Sequence, residues 1–175
     1  MDYEYYMGLA LEQARKAFDL GEFPVGCVIV QGEKVIASGS RQGTTQEKAF
    51  FNEIDHAEIR ALKQLEKNTI KFDPEKSILF CTMEPCLMCF GAIILSKIKK
   101  IVYAFEDPMG GGTKCDLKKL PPLYKLCSIE IVSGVSRQKS LDLFYDFFNK
   151  EDNLYWKNSY LEEYTFNQKK EINSG

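Results

Sequence analysis

One histidine, His56, serves all 175 residues, so any chemistry that needs an imidazole has a single candidate. An excess of charge of either sign is also missing: 23 Lys+Arg stand against 25 Asp+Glu, a net charge of −2. Domains that work mainly by neutralising phosphates carry a basic excess, so the balance argues against that class, while a local basic patch remains compatible with it. No apolar run approaches the ~18 residues that a membrane-spanning helix requires. The chain opens on Met1-Asp2-Tyr3-Glu4, acidic where a secretory signal is positively charged. The expectation is a cytoplasmic protein with no membrane partner. Internal repeats and low-complexity tracts are also absent. With 45% of the residues apolar, the composition excludes disordered and collagen-like chains. A chain of this length buries roughly 70% of its unfolded surface, enough for a core without disulfide staples. The six cysteines, Cys27, Cys81, Cys86, Cys89, Cys115 and Cys127, therefore read as reduced thiols or metal ligands before disulfides.

Apolar periodicity lays out the elements. Tyr6, Leu9, Ala10, Ala14, Ala17 and Phe18 recur at helical spacing over Tyr3 to Leu20, and Gly21 supplies a C-cap. Val25 to Val30 and Lys34 to Ala37 flank Gln31-Gly32-Glu33 as a hairpin. Gly39 to Asp55 is a loop long enough to suggest function. A helix starts directly after His56 and runs to about Glu66. Ser77 to Thr82 reads as a buried strand, Cys86 to Ser96 as a helix, Lys100 to Phe105 and Ile129 to Ser133 as strands, and Ser140 to Phe148 as a helix. Helices alternating with strands after an opening hairpin predict an α/β, three-layer α-β-α sandwich over a mixed sheet. Residues 1–150 form the expected domain. Residues 151–175 read as an extension, partly helical or disordered, fraying from Asn167.

Two clusters carry chemistry: His56-Ala57-Glu58 and Pro85-Cys86-Leu87-Met88-Cys89. Cys86 and Cys89, three apart on the first turn of a helix, direct both sulfurs the same way, and helix N-terminal amides favour thiolates. One His and two Cys suit Zn²⁺ in tetrahedral geometry with the fourth position open, the pattern of a catalytic site. A structural site would need a fourth Cys or His, and no second CxxC exists; Cys81 lies on the strand and reads as core. Glu58, on the first turn after the histidine, can lean toward a metal-activated water without ligating the metal, which makes it the candidate proton carrier.

This HxE…PCxxC spacing is that of zinc nucleobase deaminases. Residues of roughly 1 to 150 resemble the cytidine deaminase-like superfamily, within it the bacterial tRNA adenosine deaminases and guanine deaminases. The resemblance rests on Glu22-Phe23-Pro24-Val25-Gly26, His56-Ala57-Glu58-Ile59, Glu84-Pro85-Cys86-Leu87-Met88-Cys89 and Gly91-Ala92-Ile93. It implies a sheet of five strands flanked by helices, one catalytic Zn²⁺ per chain held by His56, Cys86 and Cys89, and a homodimer. It also implies that the loop after Tyr103-Ala104 borders the pocket, which brings in Phe105 and Asp107. The chain departs from the tRNA enzymes in three places. Gly39-Ser40-Arg41-Gln42 replaces a segment with a ribose-reading asparagine, which makes Arg41 a candidate contact. Asn52-Glu53-Ile54-Asp55 replaces the Asp-Pro-Thr-Ala that precedes the histidine, and the C-terminal region lacks a basic excess.

The substrate is therefore open between an adenosine in a tRNA anticodon loop and a small nucleobase or nucleoside. A reading from another class, a non-catalytic zinc or redox protein, stands beside both, and Glu58 speaks against it. Phe50 and Phe51 in the long loop, with Phe105, are candidates to stack a base, and Glu84 is a candidate support for the zinc-bearing helix and, with Asp107, a candidate substrate contact. For a small substrate, Tyr155, Trp156 and Tyr160 offer a lid. Gly110-Gly111-Gly112 lacks the Lys and Ser/Thr of a P-loop and reads as a flexible pocket wall.

Overall fold

The computed structural model describes residues 1–45, 51–67 and 71–174. α1 (Tyr3–Asp19) starts under Asp2, whose carboxylate accepts from the Tyr5 N–H, satisfying one of the orphan donors of a first turn. β1 (Gly26–Gln31) and β2 (Lys34–Ser40) form the hairpin, turning at Gly32 with φ of +64°. β2 continues past Ala37 because its pairing with β1 runs on to Gly26 opposite Ser40. α2 (Ala57–Leu65), β3 (Ser77–Met83), α3 (Leu87–Leu95) and β4 (Lys100–Phe105) follow. A short α4 (Pro122–Lys125) leads to β5 (Glu130–Val132), then α5 (Arg137–Phe148) and α6 (Tyr160–Ser174).

The sheet has five strands in the order β2-β1-β3-β4-β5. β1 pairs antiparallel with both β2 and β3, and β4 pairs parallel with both β3 and β5. Strand alternation sends Val28, Val30, Phe80 and Val102 to one face, where Tyr6, Met7 and Ala10 of α1 cover them. Cys27, Ile29, Leu79, Cys81 and Ile101 face the other side, against Ala57 and Ala61 of α2 and Phe90 and Ile93 of α3. This is the expected three-layer arrangement. Cys27 and Cys81 sit directly opposite each other on β1 and β3; like all six cysteines they are free thiols.

α1 lies almost on the backbone of β1. A Cβ on Gly26 would fall 2.1 Å from the Ala10 carbonyl oxygen and 2.3 Å from the Ala14 nitrogen, and backbone atoms have no rotamer with which to yield. Gly26→Ala is expected to cost about 2 kcal/mol as overpacking, measured as a lower denaturation midpoint. An unchanged midpoint would mean that α1 does not sit this close.

The C-terminal segment does not behave as a loose extension. Leu161 and Thr165 of α6 are buried. Tyr164 Oη donates to Glu106 at 2.7 Å, Arg137 donates to Gln168 at 2.6 Å and Lys169 pairs with Asp142 at 2.6 Å. The fraying expected from Asn167 is corrected by a helix that continues to Ser174. The apolar face of α6 is short and broken in sequence, and only the presence of α5 and the end of β4 beside it makes it a buried face.

Candidate active site

Three ligand atoms converge where α2 and α3 begin. His56 and Cys86 occupy the two N-cap positions, with φ/ψ of −65°/154° and −66°/171°, and neither makes a side-chain cap bond. The usual N-cap is a Ser, Thr, Asp or Asn whose oxygen serves the first turn; here residues with metal-binding side chains hold the place. Cys89, on the first turn of α3, completes the set. His56 Nδ1 lies 3.6 Å from Cys86 Sγ and 3.5 Å from Cys89 Sγ, and all three donor atoms fall within 4.8 Å of one another. Tetrahedral zinc with Zn–N near 2.05 Å and Zn–S near 2.3 Å sets N and S about 3.6 Å apart, so the donors already have the spacing of zinc ligands. No fourth His, Cys, Asp or Glu joins them among the described residues.

The Cys89 thiol beside it, opposed by burial and assisted by the His56 imidazole, lowers Cys86 to about 4. The same proximity to the Cys86 sulfur, with burial, pushes Cys89 up. Glu58 is 3% exposed, its Oε2 is buried without a hydrogen-bond partner among the described residues, and burial raises its pKa. A buried carboxylate oxygen left unpaired costs free energy.

His56, Glu58 and Cys86 form the floor of a cavity of about 390 Å³. Phe23, Val25 and Met83 wall it from the sheet side, Asp107, Met109 and Gly110 from the loop after β4, and Tyr155, Trp156 and Leu161 from the C-terminal segment. Two of the three aromatics expected as a lid, Tyr155 and Trp156, therefore do line the site. Tyr160 is exposed and pairs with Tyr164 instead.

Arg41 lines the cavity but is not a free contact for substrate. It is 2% exposed; Nη2 donates to Glu53 Oε2 at 3.1 Å and to Tyr155 Oη at 3.3 Å, and Nη1 donates to the Gln42 carbonyl at 2.8 Å. Tyr155 Oη in turn donates to Glu53 Oε2 at 2.8 Å. Burial pushes the Tyr155 hydroxyl up to about 12, so it remains a donor. This cluster ties the end of β2, the approach to His56 and the C-terminal segment into one wall. Glu53, three residues before the histidine, was the missed member, and its proximity to His56 in sequence was the available signal.

The other candidates separate. Glu84 is buried and accepts from the Asp107 and Thr113 N–H groups and from the Thr113 hydroxyl, so it braces the loop between β4 and α4. Asp107 faces the cavity, where burial raises its carboxyl; its Oδ1 accepts from the Met109 and Gly110 N–H groups. Phe51 stands edge-on to Tyr155 at 5.1 Å, behind the wall rather than in it. Phe50 lies outside the described residues. Phe105 is corrected: it is fully buried, with its ring against Phe144 and Tyr164, because the last residue of β4 points into the core under α5. The glycine run is corrected as well. Gly111 bridges to Cys86, and a Cβ on Gly112 would fall 2.7 Å from the Leu87 backbone, so these glycines permit close approach to the ligand-bearing helix and are not there for looseness.

Fold and donor set together define a site at which three converging side chains are placed to hold one metal ion. The chain belongs to the family of cytidine and deoxycytidylate deaminases, whose zinc-binding region its residues 1–105 match. It is 32% identical over 147 residues to the tRNA-specific adenosine deaminase of Bacillus subtilis, 84% of this chain and 89% of that one. To the enzyme of the same name from Rickettsia typhi it is 35% identical, over 82% and 96%. A solved structure from work on A-to-I editing by tRNA deaminases at the wobble position superposes with a TM-score of 0.64 at 28% identity, covering 79% of this chain and 98% of that one. A guanine deaminase from Nitrosomonas europaea shares the fold, with a TM-score of 0.64 at 22% identity over 82% and 83%. The protein is a hydrolytic nucleobase or nucleoside deaminase, with His56, Cys86 and Cys89 placed to hold one zinc ion.

Proposed function

We propose that the chain converts adenosine to inosine in tRNA, with Glu58 as the proton carrier. The observation that carries the catalytic assignment is the buried Oε2 of Glu58, without a hydrogen-bond partner among the described residues, two residues after His56 and lining the same cavity. When bound, zinc supplies a water acidified enough to attack the amidine carbon of the base. Glu58 takes up a proton at Oε2 and delivers it to the departing ammonia, and burial favours the protonated state between the two transfers. Phe23, Met83 and Trp156 offer apolar surfaces to a flat base and keep bulk water from the reacting centre. The tRNA substrate, and with it a cytoplasmic site of action, is supported by the relatives named tRNA-specific adenosine deaminases at 32% and 35% identity.

A small nucleobase or nucleoside is the second reading, favoured by the wall that Tyr155 and Trp156 build across the cavity. Ammonia release measured in parallel on an anticodon stem-loop, adenosine, cytidine, guanine and cytosine separates the two. The stem-loop should be turned over, and less so as salt rises, because phosphate contacts release counterions. Turnover of a free base alone would overturn the tRNA reading.

We infer a homodimer formed through α3. Leu87 is 65% exposed and Leu95 55% exposed. With Gly91 and Ala92 half-buried between them, they form an uncovered apolar stripe along the helix. Light scattering should give twice the 20.1 kDa chain mass, and Leu95→Glu should shift the protein toward the monomer. A wild-type mass of one chain would contradict the assignment.

A further inference from the structure

The active-site cavity is a poor place for a phosphate. Glu53, Glu58, Glu84 and Asp107 line it, and its one guanidinium, that of Arg41, is already paired with Glu53. A polyanionic substrate must therefore be held elsewhere, on a chain whose net charge is −2.

A recess of about 340 Å³ at the open edge of the sheet has the opposite character. Ser38 of the edge strand β2 and Asp55, Arg60, Lys63, Gln64 and Lys67 line it, three cations against one carboxylate. Arg60, Lys63 and Lys67 follow one another at helical spacing, so they share a face of α2 and the turn that continues it. Lys63 is held only loosely by Asp55, at 3.7 Å. Gln64 spends its Oε1 on the Ser38 N–H at 2.6 Å, which leaves its amide NH₂ to donate. Cations near a helix C-terminus are favourable in themselves, and that accounts for Lys63 and Lys67. It does not account for Arg60, whose Nε is buried without a partner among the described residues. A buried guanidinium N–H left unpaired beside two ammonium groups is the arrangement an oxyanion completes. The recess is also close to the chemistry: Asp55 adjoins His56, and Arg60 lies one turn along α2 from it, its backbone N–H donating to the His56 carbonyl at 2.9 Å.

We infer that this recess is a phosphate subsite, which takes a backbone phosphate of the RNA whose base enters the cavity. The inference rests on the tRNA reading above and adds to it where the backbone is gripped. Arg60 supplies the planar fork that a phosphate accepts in two hydrogen bonds, and Lys63 and Lys67 supply compact charge at its rim.

Fluorescence anisotropy of a labelled anticodon stem-loop across a salt series tests this. Wild type, Lys63→Gln/Lys67→Gln and Arg60→Lys are compared, with zinc content and melting midpoint as folding controls. One phosphate contact contributes roughly 0.7 to 0.9 to the slope of log K against log salt. The double variant should bind about tenfold more weakly near 0.1 M salt, with a slope shallower by about 1. Arg60→Lys should weaken binding several-fold with the slope unchanged, since charge is kept and the fork is lost. Wild-type affinity and slope in a double variant that retains its zinc would overturn the subsite. So would inorganic phosphate that binds wild type and not Arg60→Lys while RNA affinity stays the same in both, because the recess would then take a free anion. Failure of the tRNA reading looks different: wild type would neither bind nor deaminate the stem-loop while turning over a free base.

Discussion

Glu58→Gln should purify with its zinc, melt no lower than wild type, and lose turnover by a factor of about 10² to 10⁴, the range that a positioned acid–base group contributes. The amide keeps the shape of the side chain and cannot carry the proton. No metal ligand is altered, because His56, Cys86 and Cys89 form the donor set without it. Stability should hold or rise, since the wild-type carboxylate keeps a buried oxygen with no partner among the described residues, and its burial as a charge is unfavourable. Metal analysis, a thermal melt and ammonia release on one preparation give all three readings. Wild-type turnover in this variant would remove Glu58 from the mechanism, and loss of zinc would make it a ligand or an essential support of one. Cys89→Ala makes the contrast, because it should lose the metal along with the activity.

Arg41→Ala should lower stability by about 3 kcal/mol and raise KM. Glu53 is 50% exposed and can turn to water, so the loss is that of the hydrogen bonds of a buried charged group, about 1.5–3 kcal/mol, with the upper end expected because three bonds go at once. The KM effect follows from position. Arg41 joins Tyr155 and Glu53 behind the cavity wall, so without it the Tyr155 ring loses its anchor and the cavity its shape. Tyr155→Phe keeps the ring and deletes the hydroxyl bonds to Arg41 and Glu53, for an expected cost of about 1–2 kcal/mol. The Arg41→Ala/Tyr155→Phe pair should fall short of the sum of the single effects, since both remove the same hydrogen bond. Strict additivity, or a KM unchanged in Arg41→Ala, would show that this cluster does not shape the substrate site.

The departures from expectation share a pattern. Arg41 stands where a substrate contact was expected, yet its guanidinium is held by Glu53, twelve residues on, and by Tyr155, 114 residues on. A contact across that separation leaves no local trace in the chain. Phe105 reads the same in sequence whether it faces a base or the core; only the arrival of Phe144 and Tyr164 over the end of β4 decides. Gly110-Gly111-Gly112 carries the composition of a mobile loop, and only the nearness of Glu84 and the Asp107 carbonyl to Gly111, and of Cys86 and Leu87 to Gly112, shows why no Cβ fits at either position.

The sequence by itself determined the layered α/β architecture, the places where helix and strand alternate, and the three residues placed to hold a metal ion. Each depends on residues close in sequence: period-two and helical spacings declare their own elements, and His56, Glu58, Cys86 and Cys89 each lie at or just inside a helix start that the pattern marks. Only the tertiary structure decided which groups form the cavity wall, that the C-terminal segment packs on α5 and brings Tyr155, Trp156 and Leu161 to the site, and that the cations of α2 gather at the sheet edge around an Arg60 Nε with no partner among the described residues. These are matters of long-range burial and pairing. Whether a charge is satisfied, or an aromatic ring is wall or core, depends on partners that folding brings together from distant parts of the chain.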